Sequence, residues 1–158
     1  MGNLCNLREL EIFDDSEPKT DVKAMIGFFD CYKKLECLTI VGNNMTTKDC
    51  AKLSEGLKLL KELRILNLSY NSLTDSNISK ISFNIHNKIE VLNLKSNSAT
   101  EISMEIFKDE LIKLKNLKEL NMLDNQFGDQ GLNHLLQVFN VVVDIRILYI
   151  SNCNITNK

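Results

Sequence analysis

Tryptophan is absent from this chain, proline occurs once and glycine six times. That scarcity excludes collagen-like sequences and proline- or glycine-rich disordered ones, whose composition needs far more of both. No apolar run approaches the ~20 residues that a membrane-spanning helix requires. The first residues, Met1-Gly2-Asn3-Leu4-Cys5, lack the charged flank and apolar stretch of a secretory signal. A one-sided charge is missing too: 19 Lys and Arg stand against 21 Asp and Glu, a net of −2. Nothing in that balance favours gripping nucleic acid or an acidic membrane. Cysteine is present but without pattern. The five, at 5, 31, 37, 50 and 153, are odd in number, irregularly spaced and contain no CxxC pair, which argues against a disulfide framework or a metal site. Reduced thiols point to a reducing compartment, cytosol or nucleus, with a cytoplasmic location expected. Asn-x-Ser/Thr tripeptides begin at Asn44, Asn67, Asn77 and Asn154, but 19 asparagines produce such triplets by composition alone.

What is there is 158 residues, about one domain in length, with 44% apolar residues to build a core. Those residues are periodic. Segments beginning at Leu7, Leu35, Leu63, Ile89, Leu117 and Ile145 read LRELEIFDDSE, LECLTIVGNNM, LRILNLSYNSL, IEVLNLKSNSA, LKELNMLDNQF and IRILYISNCNI. The starts are 28, 28, 26, 28 and 28 residues apart, and every segment fits L-x-x-L-x-L-x-x-N/C-x-L except that the first has Asp15 in the ninth slot and Glu17, the single misfit among the apolar slots, in the last. The fourth slot is always leucine: Leu10, Leu38, Leu66, Leu92, Leu120 and Leu148. The ninth reads Asp15, Asn43, Asn71, Asn97, Asn125 and Cys153.

The spacers repeat as well. Val22, Met25 and Phe29 align with Cys50, Leu53 and Leu57, with Ile78, Ile81 and Ile85, with Met104, Phe107 and Leu111, and with Leu132, Leu135 and Phe139. Steps of three and four put each triplet on one face of a helix of three to four turns. Thr46, Thr74 and Thr100 are placed as N-caps, and Asp49 completes a capping-box pattern with Thr46. The 26-residue step arises because only His86-Asn87-Lys88 separates the third helix face from the next strand. Strand and helix therefore alternate, which requires parallel strands joined by right-handed crossovers. The expected fold class is α/β: a right-handed solenoid, an arc with a parallel sheet on its concave face and helices on its convex face. The ninth-slot asparagines Asn43, Asn71, Asn97 and Asn125 should form a buried structural ladder that satisfies loop backbone groups beyond the strands. Asp15 and Cys153 do this less fully, so looser packing is expected at both ends.

These motifs resemble the ribonuclease-inhibitor-like class of leucine-rich repeats, over Leu4 to Ile155. Their degenerate units, such as NLKSNSATEIS, are similar to the C-terminal region of NOD-like receptors. The resemblance implies a cytosolic, non-catalytic protein-interaction scaffold, the ligand-sensing or autoinhibitory region of an innate immune receptor. The alternative it implies is a freestanding regulatory module, such as a pathogen effector or a regulator of actin or small GTPases. The whole of 1–158 reads as one array, with Leu4 already in a helix-end slot and Lys158 where a sixth helix would start. Neither end has a polar cap, so the chain is expected to be a piece of a longer array or to self-associate through those ends.

Strand side chains alternate between core and concave face. The partner-facing candidates are Thr39, Val41, Asn67, Ser69, Tyr70, Asn93, Lys95, Asn121, Leu123, Asp124 and Tyr149, with Phe13 beside them: aromatic anchors in a polar field. The second slot reads Arg8, Glu36, Arg64, Glu90, Lys118 and Arg146. Its alternating signs predict a solvated ladder across neighbouring strands. The third slot reads Glu9, Cys37, Ile65, Val91, Glu119 and Ile147, apolar in its middle. No phosphate loop, HExxH, nucleophile elbow or paired His/Cys set appears, and His86 and His134 stand 48 residues apart. Glu101, Glu105 and Asp109 are interleaved with Lys108 and read as a solvated helix face. Asp124 and Asp129 flank a turn without the further oxygens calcium needs. The expectation is a protein partner on the concave face, with no enzyme activity, cofactor, metal, nucleic acid or membrane.

Overall fold

A computed structural model describes residues 4–13, 27–82, 84–141 and 144–156. Six strands run in chain order: β1 Glu9–Phe13, β2 Cys37–Val41, β3 Ile65–Asn67, β4 Val91–Asn93, β5 Glu119–Asn121 and β6 Ile147–Tyr149. They form one sheet in the order β1-β2-β3-β4-β5-β6, every pairing parallel. The fourth-slot leucines are register partners from Leu10 through to Leu148. Equal slots therefore meet across the whole sheet, including the step that is two residues short.

Between the strands lie α1 Thr47–Leu57, α2 Asp75–Ser82, α3 Glu101–Leu111 and α4 Gly128–Phe139. Each packs on the next along the array. The core is the space between sheet and helices. Leu38, Leu66, Leu92 and Leu120 are buried there with the sixth-slot residues Ile40, Leu68, Leu94 and Met122, facing Cys50, Leu53, Ile78, Met104, Phe107 and Leu135. At the two ends the fourth slot closes less well, with Leu10 and Leu148 only half-buried, although Ile12 in the sixth slot of β1 is enclosed.

Each strand is ended by a turn that the backbone itself records. Every described eighth-slot residue is left-handed: Gly42 (φ 78°), Tyr70 (58°), Ser96 (51°), Asp124 (56°) and Asn152 (57°). Beyond that turn the ninth-slot asparagines form the expected ladder. Asn97 Oδ1 accepts from the amides of Asn71 (3.2 Å) and Leu73 (2.9 Å), while its Nδ2 donates to the carbonyls of Leu68, Leu94 and Lys95. Asn71 Oδ1 takes the Asn43 amide at 2.9 Å, and Asn125 Oδ1 takes the Ala99 amide at 3.1 Å. Backbone groups that no strand pairing reaches are thereby satisfied. Cys153 follows the same geometry with a thiol, donating to the carbonyls of Met122 (3.1 Å) and Ser151 (3.3 Å). Asp15 lies outside the described residues.

The helices follow their caps. Thr46 and Asp49 form a reciprocal capping box at α1, and Thr100 caps α3 by accepting from the Ile102 amide. A link between neighbouring units accompanies them. Asp75 accepts from both the backbone and the hydroxyl of Thr100, each at 2.8 Å, and Asp129 does the same for Thr156 at 2.7 and 2.6 Å. One carboxylate near a helix start thus fixes the cap position of the next unit.

Two helix expectations are corrected. The helix expected from Ile78, Ile81 and Ile85 is only eight residues, little more than two turns, and Ile85 falls outside it. The short spacer leaves no chain for a third turn, and side chains close the gap instead. Asn84 Nδ2 donates to Ser54 Oγ (2.5 Å), Ser54 Oγ to the Lys80 carbonyl (2.6 Å), and His86 Nε2 lies 3.2 Å from the Lys58 carbonyl. Of the first helix face, Val22 and Met25 lie outside the described residues. Phe29 sits in a 3-10 turn, Phe29–Cys31, rather than an α-helix, yet is buried against α1 as its slot requires.

Candidate functional site

The odd slots of the strands point away from the core and carry the candidate residues. The fifth slot holds Thr39, Asn67, Asn93, Asn121 and Tyr149 in direct register. The three asparagines do two things at once. Their Oδ1 atoms accept from the amides two residues on, Ser69 (3.1 Å), Lys95 (3.0 Å) and Leu123 (3.1 Å), which braces the strand ends. With the carbonyl side engaged, each Nδ2 is left without a hydrogen bond among the described residues. In-register strands are about 4.8 Å apart, so the concave face carries a row of three evenly spaced amide donors.

Along the upper rim runs a second row. Tyr70 is 49% exposed despite its left-handed backbone. The Lys95 ammonium lies 5.3 Å from the centroid of its ring, within the range of cation–π attraction. Lys95 also reaches Asp124 Oδ2 at 3.7 Å, and Asp124 accepts from Ser96 Oγ (3.1 Å) and Asn152 Nδ2 (3.0 Å). Tyr70, Lys95, Asp124 and Asn152 therefore form one polar chain across four repeats. Hydrogen bonding to Lys95 and Ser96 holds the Tyr70 phenol below its ordinary value, and the same phenol raises Lys95. Asn152 and Ser96 hold Asp124 below the usual carboxylate range.

Along the lower rim the second-slot ladder is formed as its signs predict. Arg8 pairs with Glu36, and Glu90 is shared between Arg64 (Nε at 2.6 Å) and Lys118 (2.7 Å). Lys118 and the like-charged Arg146 do not oppose one another: Arg146 turns to Asp144 at 3.0 Å. Between this ladder and the third-slot row lies a groove of about 440 Å³ floored by Cys37, Ile65 and Val91.

The structure brings most candidates onto this one face. Tyr70 and Tyr149 are exposed, while Val41, Asn67, Asn93, Lys95, Asn121, Leu123 and Asp124 are half-buried. Thr39 and Ser69 are buried, at 6% and 4% exposure, so they support the face from beneath rather than offering contact. Ser69 Oγ is spent on Asn67 Oδ1 at 2.8 Å. The ladder residues Asn71 and Asn125 are wholly enclosed, as structural amides must be, and Asn43 and Asn97 nearly so. Sequence reading missed the tethers from Asp75 and Asp129, although an Asp directly after a cap slot, followed by a Thr one repeat later, marks both. No cluster of three or more His, Cys, Asp or Glu able to hold a metal occurs among the described residues. The described cysteines are free, and burial pushes the Cys50 thiol up to about 12.

Comparison with known proteins agrees with this architecture. Residues 62–84 match the family described as Leucine Rich Repeat. Mouse ribonuclease inhibitor is 26% identical over 163 aligned residues, covering 100% of this chain and 36% of that protein. Mouse NACHT, LRR and PYD domains-containing protein 14 is 30% identical over 105 residues, covering 65% of this chain and 11% of the relative. The chain thus spans about a third of one curated relative and a ninth of the other. Among solved structures, the one described as leiomodin-1 actin-binding site 2 superposes with a TM-score of 0.70 at 14% identity, over 83% of this chain and 79% of that one. At that identity the likeness is one of fold.

Proposed function

The chain belongs to the leucine-rich-repeat proteins, with repeats of the ribonuclease-inhibitor-like kind, and from that premise we propose that it is a non-catalytic scaffold binding a protein on its concave face. The observation that carries this reading is Tyr70. A bulky residue with positive φ costs on the order of 1–2 kcal/mol relative to glycine, and Gly42 occupies the same slot without that cost. The strain nonetheless holds a half-exposed aromatic ring beside Lys95, on the same face as Asn93 and Leu123. Rigid aromatics in a field of hydrogen-bond donors are what protein interfaces use as anchors.

Within that reading, the array is the sensing or autoinhibitory region of a cytosolic innate immune receptor. The 30% identity to the NACHT, LRR and PYD protein supports it, as do five cysteines that form no disulfide, which suits a reducing compartment. The second reading is a freestanding regulatory module, favoured by an alignment to ribonuclease inhibitor that runs the whole length of this chain. A nucleotide-binding domain upstream in the parent gene selects the first reading; its absence selects the second.

The test is capture from cytosolic lysate with wild type and with Tyr70→Ala/Asn93→Ala/Leu123→Ala, checked for folding by circular dichroism. Proteins held by the wild type and lost by the folded variant support the concave face. The same proteins retained on both overturn it.

A further inference from the structure

We propose that the lower groove of the concave face receives an amphipathic helix of the partner, apolar in its middle and basic at both ends. The proposal rests on the reading of the concave face as the binding surface and adds the chemistry of what binds there.

The floor of the groove is the third-slot row. Cys37, Ile65 and Val91 are direct register partners on β2, β3 and β4, and Ile65 is 38% exposed. Their spacing is that of the sheet, about 4.8 Å per step. A ligand laid along this row crosses the strands, and its side chains must repeat at the same interval. An extended segment repeats same-face side chains every ~6.6 Å and falls out of register after one step. A helix rises ~1.5 Å per residue, so its i, i+3 and i+7 positions lie about 4.5 and 10.5 Å along the axis. That matches three successive floor residues to within about 1 Å.

The ends of the row set the charge. Glu9 precedes Cys37 in register, and Glu119 follows Val91. Neither carboxylate has an ion pair among the described residues, whereas on the wall beside them Arg8 pairs with Glu36, and Arg64 and Lys118 share Glu90. The third-slot row therefore offers Glu9 at the groove's edge and Glu119 one strand beyond its apolar floor, two acids about 19 Å apart, four strand steps, with no ion pair among the described residues. On a helix that distance is about 13 residues. Lys or Arg at either end of such a stretch meets both acids while three apolar side chains sit on Cys37, Ile65 and Val91. Glu11, exposed on the neighbouring row of β1, adds to the negative end.

The test is selection of randomised, helix-constrained 16-residue peptides against the whole chain, followed by fluorescence anisotropy on the enriched sequences. Expected is an apolar i, i+3, i+7 centre flanked by Lys or Arg, with affinity falling at least tenfold on Ile65→Ser or Glu9→Lys/Glu119→Lys and changing less than twofold on Tyr70→Ala/Leu123→Ala. Selection repeated on the Glu9→Lys/Glu119→Lys variant should then enrich acidic ends. Peptides that lose affinity on the Tyr70/Leu123 variant but ignore the groove substitutions overturn the groove and leave the concave-face reading standing. Peptides insensitive to both sets overturn both. Enrichment on the wild type of sequences with acidic ends, or without an apolar i, i+3, i+7 centre, overturns the groove alone.

Discussion

A single buried amide in this molecule organises five backbone groups. Asn97 is the centre of the ladder, receiving from Asn71 and Leu73 and donating to Leu68, Leu94 and Lys95. Truncating it leaves several of those groups enclosed without partners, and each such group costs about 1–3 kcal/mol. Asn97→Ala is expected to lower stability by ~3 kcal/mol or more in urea unfolding. Asn43 donates only to the Val41 carbonyl, and its Oδ1 has no partner among the described residues. Asn43→Ala should therefore cost only ~1 kcal/mol. Equal losses at the two positions would show that the ladder is an ornament of packing rather than a chain of bonds. The thiols give a second contrast. Cys5 and Cys31 are exposed, and Cys50 is enclosed with its proton held up to about 12 against an ordinary 9.0. Iodoacetamide at pH 8 should label Cys5 and Cys31 in the native protein and reach Cys50 only on unfolding, as read by peptide mass spectrometry. The folded state binds this proton more tightly than the unfolded one. Its contribution to stability is thus full below pH 9 and is lost as pH rises from 9 towards 12.

At the scale of the element, the reading of sequence against structure divides by period. Strands β1 to β6 were legible because leucine recurs in the fourth slot of each unit, and no other register puts Leu38, Leu66, Leu92 and Leu120 in one buried line. The helix faces were legible where the spacer was full, at Cys50, Leu53 and Leu57 or Met104, Phe107 and Leu111. They were not legible at α2, where the local period continues through Ile85 while the deleted residues force the chain out of the helix. For the site, alternation along a strand identified the outward slots but could not foresee which are roofed over. Thr39 and Ser69 look identical in pattern to exposed neighbours and are buried by them. The left-handed eighth slot was also hidden, because Tyr70, Ser96 and Asp124 share no residue type that signals positive φ. One glycine makes an element-level prediction of unusual sign. Within α1, Gly56→Ala would ordinarily stabilise a helix by up to about 1 kcal/mol. Here the added Cβ would lie 2.3 Å from Cδ2 of the buried Phe29 ring. Overpacking of that kind costs about 1–3 kcal/mol, so Gly56→Ala should lower the melting temperature rather than raise it. A gain would mean that Phe29 moves freely in its slot.

The molecule as a whole is a line of near-equal units, and its stability follows from what each unit touches. In such an array every module contributes its own term and one interface to each neighbour. Strands β2 to β5 have a partner on both sides, whereas β1 and β6 have one. The core records the same gradient, with Leu38 through Leu120 fully enclosed and Leu10 and Leu148 half-open. The tethers sharpen it: Asp75 fastens the unit of α2 to that of α3, and Asp129 fastens α4 to the segment around Thr156. Opening that starts at an end breaks one interface, while opening in the middle breaks two. Hydrogen exchange should accordingly be slowest at the amides of β3, β4 and β5 and progressively faster towards β1 and β6, with the outer strands exchanging through local opening rather than global unfolding. The short unit between β3 and β4 is the place where this gradient can fail, because side chains of Asn84 and His86 replace a helical turn there. Uniform protection across all six strands would mean that the array unfolds as one block. A sharp drop at β3–β4 would mean that the shortened spacer divides it into two cooperative halves, and in either case the stacking of equivalent neighbours would no longer account for the order in which the chain opens.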